Sequence, residues 1–216
     1  MKEAALPLRN LKFLSVAQIT FDFSEKVALV TGGSRGIGRA TAVLFAKSGA
    51  KVVIGDVDPA GEETVETIKR DGGEAVFVKT DVRDETDVKK LIATAVKTYG
   101  GLHCSFNNAG VLPPTVALVE MEESTFDGTL AVDLKGVFLC MKHEIAHMLQ
   151  SGGGAIVNNA SIAGLIAEPG ISAYIAAKHG VIGLSKAAAV EYANKGIRIN
   201  AGARAGEYRN DQGLVR

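Results

Sequence analysis

An α/β fold on one open, doubly wound parallel sheet is predicted for this 216-residue sequence, and three observations predict it. Short apolar, β-branched runs alternate with longer segments of good helix formers, the pattern of a parallel sheet covered on both faces. The first of these runs leads straight into a glycine-rich turn and then a helical segment. Glycine, at 25 residues, stands well above the roughly 7% of an average protein, as tight turns and close backbone approaches require.

Taken in order, residues 1–21 form an N-terminal extension. It carries Lys2, Arg9 and Lys12 but no uninterrupted apolar core, so it reads as a disordered or upstream-translated extension rather than a secretory signal. An organelle-targeting segment stays open. Strands are read at residues 26–31 (KVALVT), 51–56 (KVVIGD), 74–79 (EAVFVK), 102–107 (LHCSFN), 154–160 (GAIVNNA) and 197–200 (IRIN). Helices are read between them at 38–48, 60–70, 85–98, 123–149 and 172–194. Right-handed crossovers then give a single domain over residues 22–201, followed by an irregular tail at 202–216.

Composition narrows the function classes. The chain is 47% hydrophobic and 22% charged, which excludes wholesale disorder. Lys+Arg and Asp+Glu number 24 each, so no sequence-wide positive field exists to hold a nucleic acid or an anionic membrane, although a local patch stays open. No apolar run approaches the ~18 residues of a membrane helix. Two cysteines, Cys104 and Cys140, provide no disulfide framework and no zinc spacing, so a cytoplasmic location is expected.

In a doubly wound sheet, ligands bind beyond the carboxyl ends of the strands, where the strand order reverses. The first strand ends there in Thr31, Gly32, Gly33, Ser34, Arg35, Gly36, Ile37 and Gly38. Glycines allow the sharp turn and let a phosphate approach a helix N-terminus, whose free N–H groups and dipole favour an anion. Asp56 closes the second strand; an acid there accepts from ribose hydroxyls and repels a 2′-phosphate, which favours NAD over NADP. Arg35 pulls the other way if it meets a phosphate, or is a solvated loop charge. Asp81, with Val82 beside it, can bond an adenine amino group or cap the next helix. Asn107, Asn108, Ala109 and Gly110 end the fourth strand, as a ligand edge or an Asn-rich turn.

The other half carries acid–base chemistry. Ser161 follows the fifth strand, and Tyr174 and Lys178 stand four apart on one helix face. A cation beside a phenol stabilises the phenolate and lowers its pKa from about 10 toward working pH. That makes an acid/base for a carbonyl–alcohol pair, with the serine hydroxyl positioning the oxygen.

With these residues the chain resembles the short-chain dehydrogenases/reductases, a Rossmann-type family. Its T-G-x-x-x-G-x-G motif matches Thr31, Gly32, Gly36 and Gly38; its N-N-A-G matches Asn107 to Gly110; its Ser…Tyr-x-x-x-Lys set matches Ser161, Tyr174 and Lys178. The resemblance implies that Tyr174 is the acid/base, that Lys178 also holds the nicotinamide ribose, and that Asn108 and Gly110 line the cofactor cleft. It further implies hydride transfer between NAD(H) and a small or cyclic secondary alcohol or ketone. The two long helical segments would pair across a twofold axis into a homodimer; tetramers of the family also use the C-terminal strand, so none is expected here.

Two departures matter. Where the family has V-N-L-x-G-V-F, this chain reads Val132, Asp133, Leu134, Lys135, Gly136, Val137, Phe138. In the family that asparagine helps hold a water passing protons toward the lysine. Asp133 can do the same, but its charge favours protonated Lys178 and raises the Tyr174 pKa if near enough. A shifted pH optimum and an inactive site are both open readings. Second, residues 202–216 lack the Pro-Gly, covering loop and final strand of the family, so a missing last strand, an exposed sheet edge and a pocket without its lid are expected. A non-catalytic nucleotide-binding remnant is therefore the rival to the oxidoreductase. His143 to His147 matches H-E-x-x-H literally, but with no third ligand apparent no metal site is assigned.

Overall fold

The computed structural model describes residues 20–203, together with the backbone of 209–210 and 213–214. Nearly all of the N-terminal extension, and much of the tail, lie outside the described residues. Six parallel strands form the sheet: β1 (Val27–Thr31), β2 (Lys51–Asp56), β3 (Glu74–Lys79), β4 (Cys104–Asn107), β5 (Gly154–Asn159) and β6 (Ile197–Gly202). Their order is β3-β2-β1-β4-β5-β6. The order reverses between β1 and β4, which are hydrogen-bonded neighbours with Val30 opposite Phe106.

Helices α1 (Gly36–Lys47), α2 (Gly61–Arg70), α3 (Glu85–Tyr99), α4 (Glu123–Leu130), α5 (Val137–Ser151) and α6 (Ser172–Tyr192) cover both faces. One apolar core lies under α3, α5 and α6 and includes Leu91, Met148, Ile156 and Val181. The other, including Ala42, Val65 and Ile68, lies under α1 and α2. β1 and β2 are mostly apolar because both their faces are covered, whereas β4 and β5 also bury Ser105, Asn107 and Asn158. Local chemistry sets the helix ends. Asp84 caps α3 by accepting from Thr86 N, and Gly100 ends it in the left-handed conformation.

Most boundaries shift by one or two residues from the sequence reading, and four departures have a structural cause. β4 starts at Cys104 because the His103 ring nitrogen Nδ1, rather than strand backbone, accepts from Val27 N. The helix expected over 123–149 is interrupted by a π-helical segment, Ala131–Gly136, whose wider turn carries Asp133 into the protein interior. α6 stops at Tyr192 and tightens into a 3-10 turn, Ala193–Lys195. The tail is not wholly irregular: β7 (Arg209–Asn210) pairs antiparallel with β8 (Gly213–Leu214), since a two-residue connection lets short segments exchange backbone bonds without any apolar alternation.

Candidate active site

A cleft of about 760 Å³ opens at the strand reversal, and ten predicted nucleotide residues line it: Gly32, Ser34, Arg35, Gly36, Ile37, Asp56, Asp81, Asn108, Ala109 and Gly110. Val82 lines it too, wedged against the π segment. Gly38 does not. Its role is packing: a Cβ there would lie 2.0 Å from Gly32 O and 2.6 Å from Asn108 Nδ2, so only glycine lets α1 close on the turn. Arg35 occupies the cap position of α1 without a side-chain cap bond, which leaves the first-turn N–H groups available to an anion. Asn108 knits the floor. Its Nδ2 donates to Thr31 O and Gly32 O at 3.0 Å each, and its Oδ1 accepts from Asn159 Nδ2 at 2.9 Å.

Asp56 is fixed by backbone rather than by a cation: Oδ2 accepts from Ser34 N at 2.9 Å and Oδ1 from Asp58 N at 3.0 Å. Arg35 forms an ion pair with Asp58 at the exposed rim. Asp58 was not singled out from the sequence; its sole signal there is a second acid two residues past the strand end. Asp81 does not cap α3, since Asp84 does. Its carboxylate instead receives Arg83, whose guanidinium holds it below the usual carboxylate range.

Ser161, Tyr174 and Lys178 converge at the ends of β5 and α6. The Ser161 hydroxyl accepts from Ala163 N at 3.2 Å and is near enough to Tyr174 to favour its ionised form. Lys178 is almost completely buried; its Nζ donates to Asn159 O at 3.1 Å and lies 5.3 Å from the Tyr174 ring centre. The expected lowering of the tyrosine does not come from the protein's own groups. Burial raises the Tyr174 pKa, Ser161 only partly offsets that, and the Asp133 charge raises it further. Burial lowers the pKa of Lys178 itself, against the pull of Asp133.

Asp133 is fully buried and adjoins the lysine. A Cβ on Gly110 would lie 2.7 Å from Asp133 Oδ1 and 3.5 Å from Lys178 Nζ, so both side chains approach the glycine, without forming an ion pair with each other. Oδ1 accepts from Val111 N at 2.8 Å, while Oδ2 makes no hydrogen bond. Burial pushes the Asp133 carboxyl up to about 6 against the pull of Lys178 and the Val111 N–H.

The H-E-x-x-H match does not form a metal site. His143 Nε2 meets Glu85 Oε1 at 2.8 Å, whereas Glu144 is directed into the core onto Asn107. Among the described residues no group of three or more His, Cys, Asp or Glu is placed to hold a metal ion, and no helix is long and apolar enough to cross a membrane.

A Rossmann-type sheet with its cleft at the strand reversal, and a Ser–Tyr–Lys set beside it, defines an oxidoreductase class. Residues 26–206 match the short chain dehydrogenase family, and the chain belongs to it. It is 47% identical over 180 residues to a cyclohexanol dehydrogenase of Acinetobacter sp. (strain SE19), covering 83% of this chain and 72% of that one. It is 44% identical over 179 residues to a cis-4-hydroxycyclohexanecarboxylate dehydrogenase of Sinomonas cyclohexanicum, at the same coverage of 83% and 72%. Among solved structures, a carveol dehydrogenase from Mycobacterium avium in complex with NAD superposes with a TM-score of 0.81 at 34% identity, over 84% of this chain and 71% of that one.

Proposed function

We propose that this protein is an NAD-dependent dehydrogenase/reductase that interconverts a small cyclic secondary alcohol and its ketone. The observation that carries the reading is the convergence of Ser161, Tyr174 and Lys178 beside a glycine-walled cleft with an acidic rim at Asp56 and Asp58. The cleft suits a dinucleotide: Gly32 and Gly36 leave room for backbone to approach phosphate, and Asp56 stands ready to accept from ribose hydroxyls. Two acids at that rim disfavour a 2′-phosphate. When bound, the nicotinamide supplies or accepts the hydride, and its positive oxidised ring favours tyrosinate. The protein's own work is proton handling. Tyr174 takes the alcohol proton, or returns it to the ketone, while the Ser161 hydroxyl holds the reacting oxygen. Lys178 holds the nicotinamide ribose, and with Asp133 it forms the buried end of the proton path.

The cyclic-alcohol assignment draws on the relatives' names and on the loops after β4 and β5, where Val111, Leu112, Leu165 and Ile166 expose apolar side chains. Cys140 is a buried free thiol and Cys104 a partly buried one, as suits a reducing, cytoplasmic compartment. A homodimer through α5 and α6 completes the reading. The rival is a nucleotide-binding protein without turnover, favoured by the uncompensated buried oxygen of Asp133.

Parallel titration with NADH and NADPH, followed by nucleotide emission because the chain has no tryptophan, tests the first step. Saturable NADH binding with weak NADPH binding is expected, followed by oxidation of cyclohexanol that Tyr174→Phe abolishes while NADH binding survives. Failure to bind either nucleotide overturns the enzyme reading. Binding without turnover on a panel of cyclic alcohols selects the rival.

A further inference from the structure

Beneath the cleft lies a buried polar chain that the reaction scheme above does not use. Glu144 of α5 is fully buried, and its Oε2 accepts from Asn107 Nδ2 at 3.0 Å. The same Nδ2 donates to Asn158 Oδ1 at 3.0 Å, and Asn107 and Asn158 are directly opposed across β4 and β5. Asn158 Nδ2 donates to Ser185 Oγ at 2.8 Å, and Ser185 donates to Val181 O on α6 at 2.6 Å. The chain thus crosses α5, β4, β5 and α6, and every side chain in it is buried. The donors diverge from Asn107: one arm ends on the Glu144 carboxylate, and the other runs through Asn158 and Ser185 to end on Val181 O. Its two strand members stand one residue before Asn108, which knits the cleft floor, and Asn159, whose carbonyl seats Lys178 Nζ.

We propose that Glu144 is a positioning residue for the hydride-transfer site: through Asn107 and Asn158 it fixes the strand ends that present Asn108 and the Asn159 carbonyl, and hence the seat of Lys178. The inference rests on the dehydrogenase reading. Both protons of Asn107 Nδ2 are committed, one to Glu144 and one to Asn158. Removing the carboxylate acceptor leaves a buried N–H unpaired and frees the asparagine to rotate out of its bond with β5.

On this proposal the buried network responds to pH. The groups facing Glu144 are Cys140 on its own helix, Ser105 and Asn107 on β4, and beyond Asn107 the amide of Asn158 on β5 and the hydroxyl of Ser185 on α6. None is a cation. Burial therefore raises the carboxyl to about 7, against the pull of Asn107 and Ser105. A carboxyl raised on folding contributes stability that is full below the ordinary range and lost as pH rises through about 7. Ionisation would place an uncompensated charge beneath the strand ends.

The test compares wild type with Glu144→Leu and Glu144→Gln, reading kcat and KM for cyclohexanol at saturating NAD and the NADH Kd at about pH 6 and about pH 8.5. Glu144→Leu is expected to lower kcat about tenfold while changing the alcohol KM less than about twofold, because the seat of Lys178 moves and the apolar loops do not. Glu144→Gln, which restores an acceptor for Asn107, is expected to recover most of that loss. It should also remove at least half of any wild-type weakening of NADH between the two pH values. Wild-type kinetics in Glu144→Leu overturn the proposal, as does a Leu defect that Gln leaves unrepaired. If Glu144→Leu does not fold, the Gln pH profile decides: one that matches wild type overturns it. Wild type that binds NADH at neither pH overturns the dehydrogenase reading itself, a result distinct from any of these.

Discussion

On the proposed dehydrogenase reading, single side chains set cofactor choice and the working pH. Asp58 ion-pairs with Arg35, the cation of the glycine turn, and adds a second negative charge beside Asp56. Asp58→Asn frees that guanidinium and removes one acid, so the ratio of NADPH to NADH affinity should rise about tenfold, read by the two titrations in parallel. An unchanged ratio would mean that Asp56 alone discriminates. On the same reading Asp133 bears on the acid–base step. Its charge raises the Tyr174 pKa, so Asp133→Asn, which keeps an oxygen for Val111 N–H, should move the basic group's limb in the kcat/KM profile for alcohol oxidation to lower pH. A limb that stays in place or moves up would show that Asp133 does not reach the tyrosine. The same change bears on stability. The carboxyl is raised to about 6 in the folded protein, so its contribution is full below the ordinary carboxylate range and lost as pH rises through about 6. Above neutral pH the Asn variant should therefore melt no lower than wild type.

At the scale of elements, the site depends on two junctions. The first is the turn from β1 to α1, where Gly38 closes against Gly32 O and Asn108. Gly38→Ala forces those groups apart. We expect it to destabilise the fold by about 1–3 kcal/mol in urea and to weaken NADH binding at least tenfold. Near-wild-type binding would show that the turn yields without disturbing the cleft. The second junction is the π segment between α4 and α5. A regular helix through Ala131–Gly136 would rotate Asp133 away from Val111 and Lys178, so the wider turn places that carboxyl. Sequence periodicity shows one long helix over 123–149, because a π turn adds a residue without leaving a gap in the apolar pattern.

For the whole molecule, the sheet order makes one cleft at the β1–β4 boundary and leaves β3 and β6 as its edges. The helices above it expose Phe138 and Leu149 on α5 and Val190 on α6, apolar area that a second copy would cover. Light scattering should therefore report a dimer. A well-defined tetramer would show that the assembly uses a further surface, and a monomer at micromolar concentration would leave those faces without the proposed role.

Much of this was legible in the linear order of residues. The alternation of β-branched runs and helix formers determines a parallel sheet, and a glycine turn after the first strand marks where the proposed nucleotide would approach. Both are local signals, carried by neighbours along the chain. The pairing of Tyr174 with Lys178 was legible for the same reason, since i, i+4 spacing on a helix is a local geometry, whereas Ser161 joined them through its place after the fifth strand and the family resemblance. What only the tertiary structure decided are relations between residues distant in sequence: Asp58 on Arg35, Asp133 within electrostatic reach of Lys178, the Asn159 carbonyl on Lys178, and Asn107 joining Glu144 to Asn158. It also reversed the expected effect on Tyr174, because desolvation depends on how much protein surrounds a group, and no spacing in a sequence measures that.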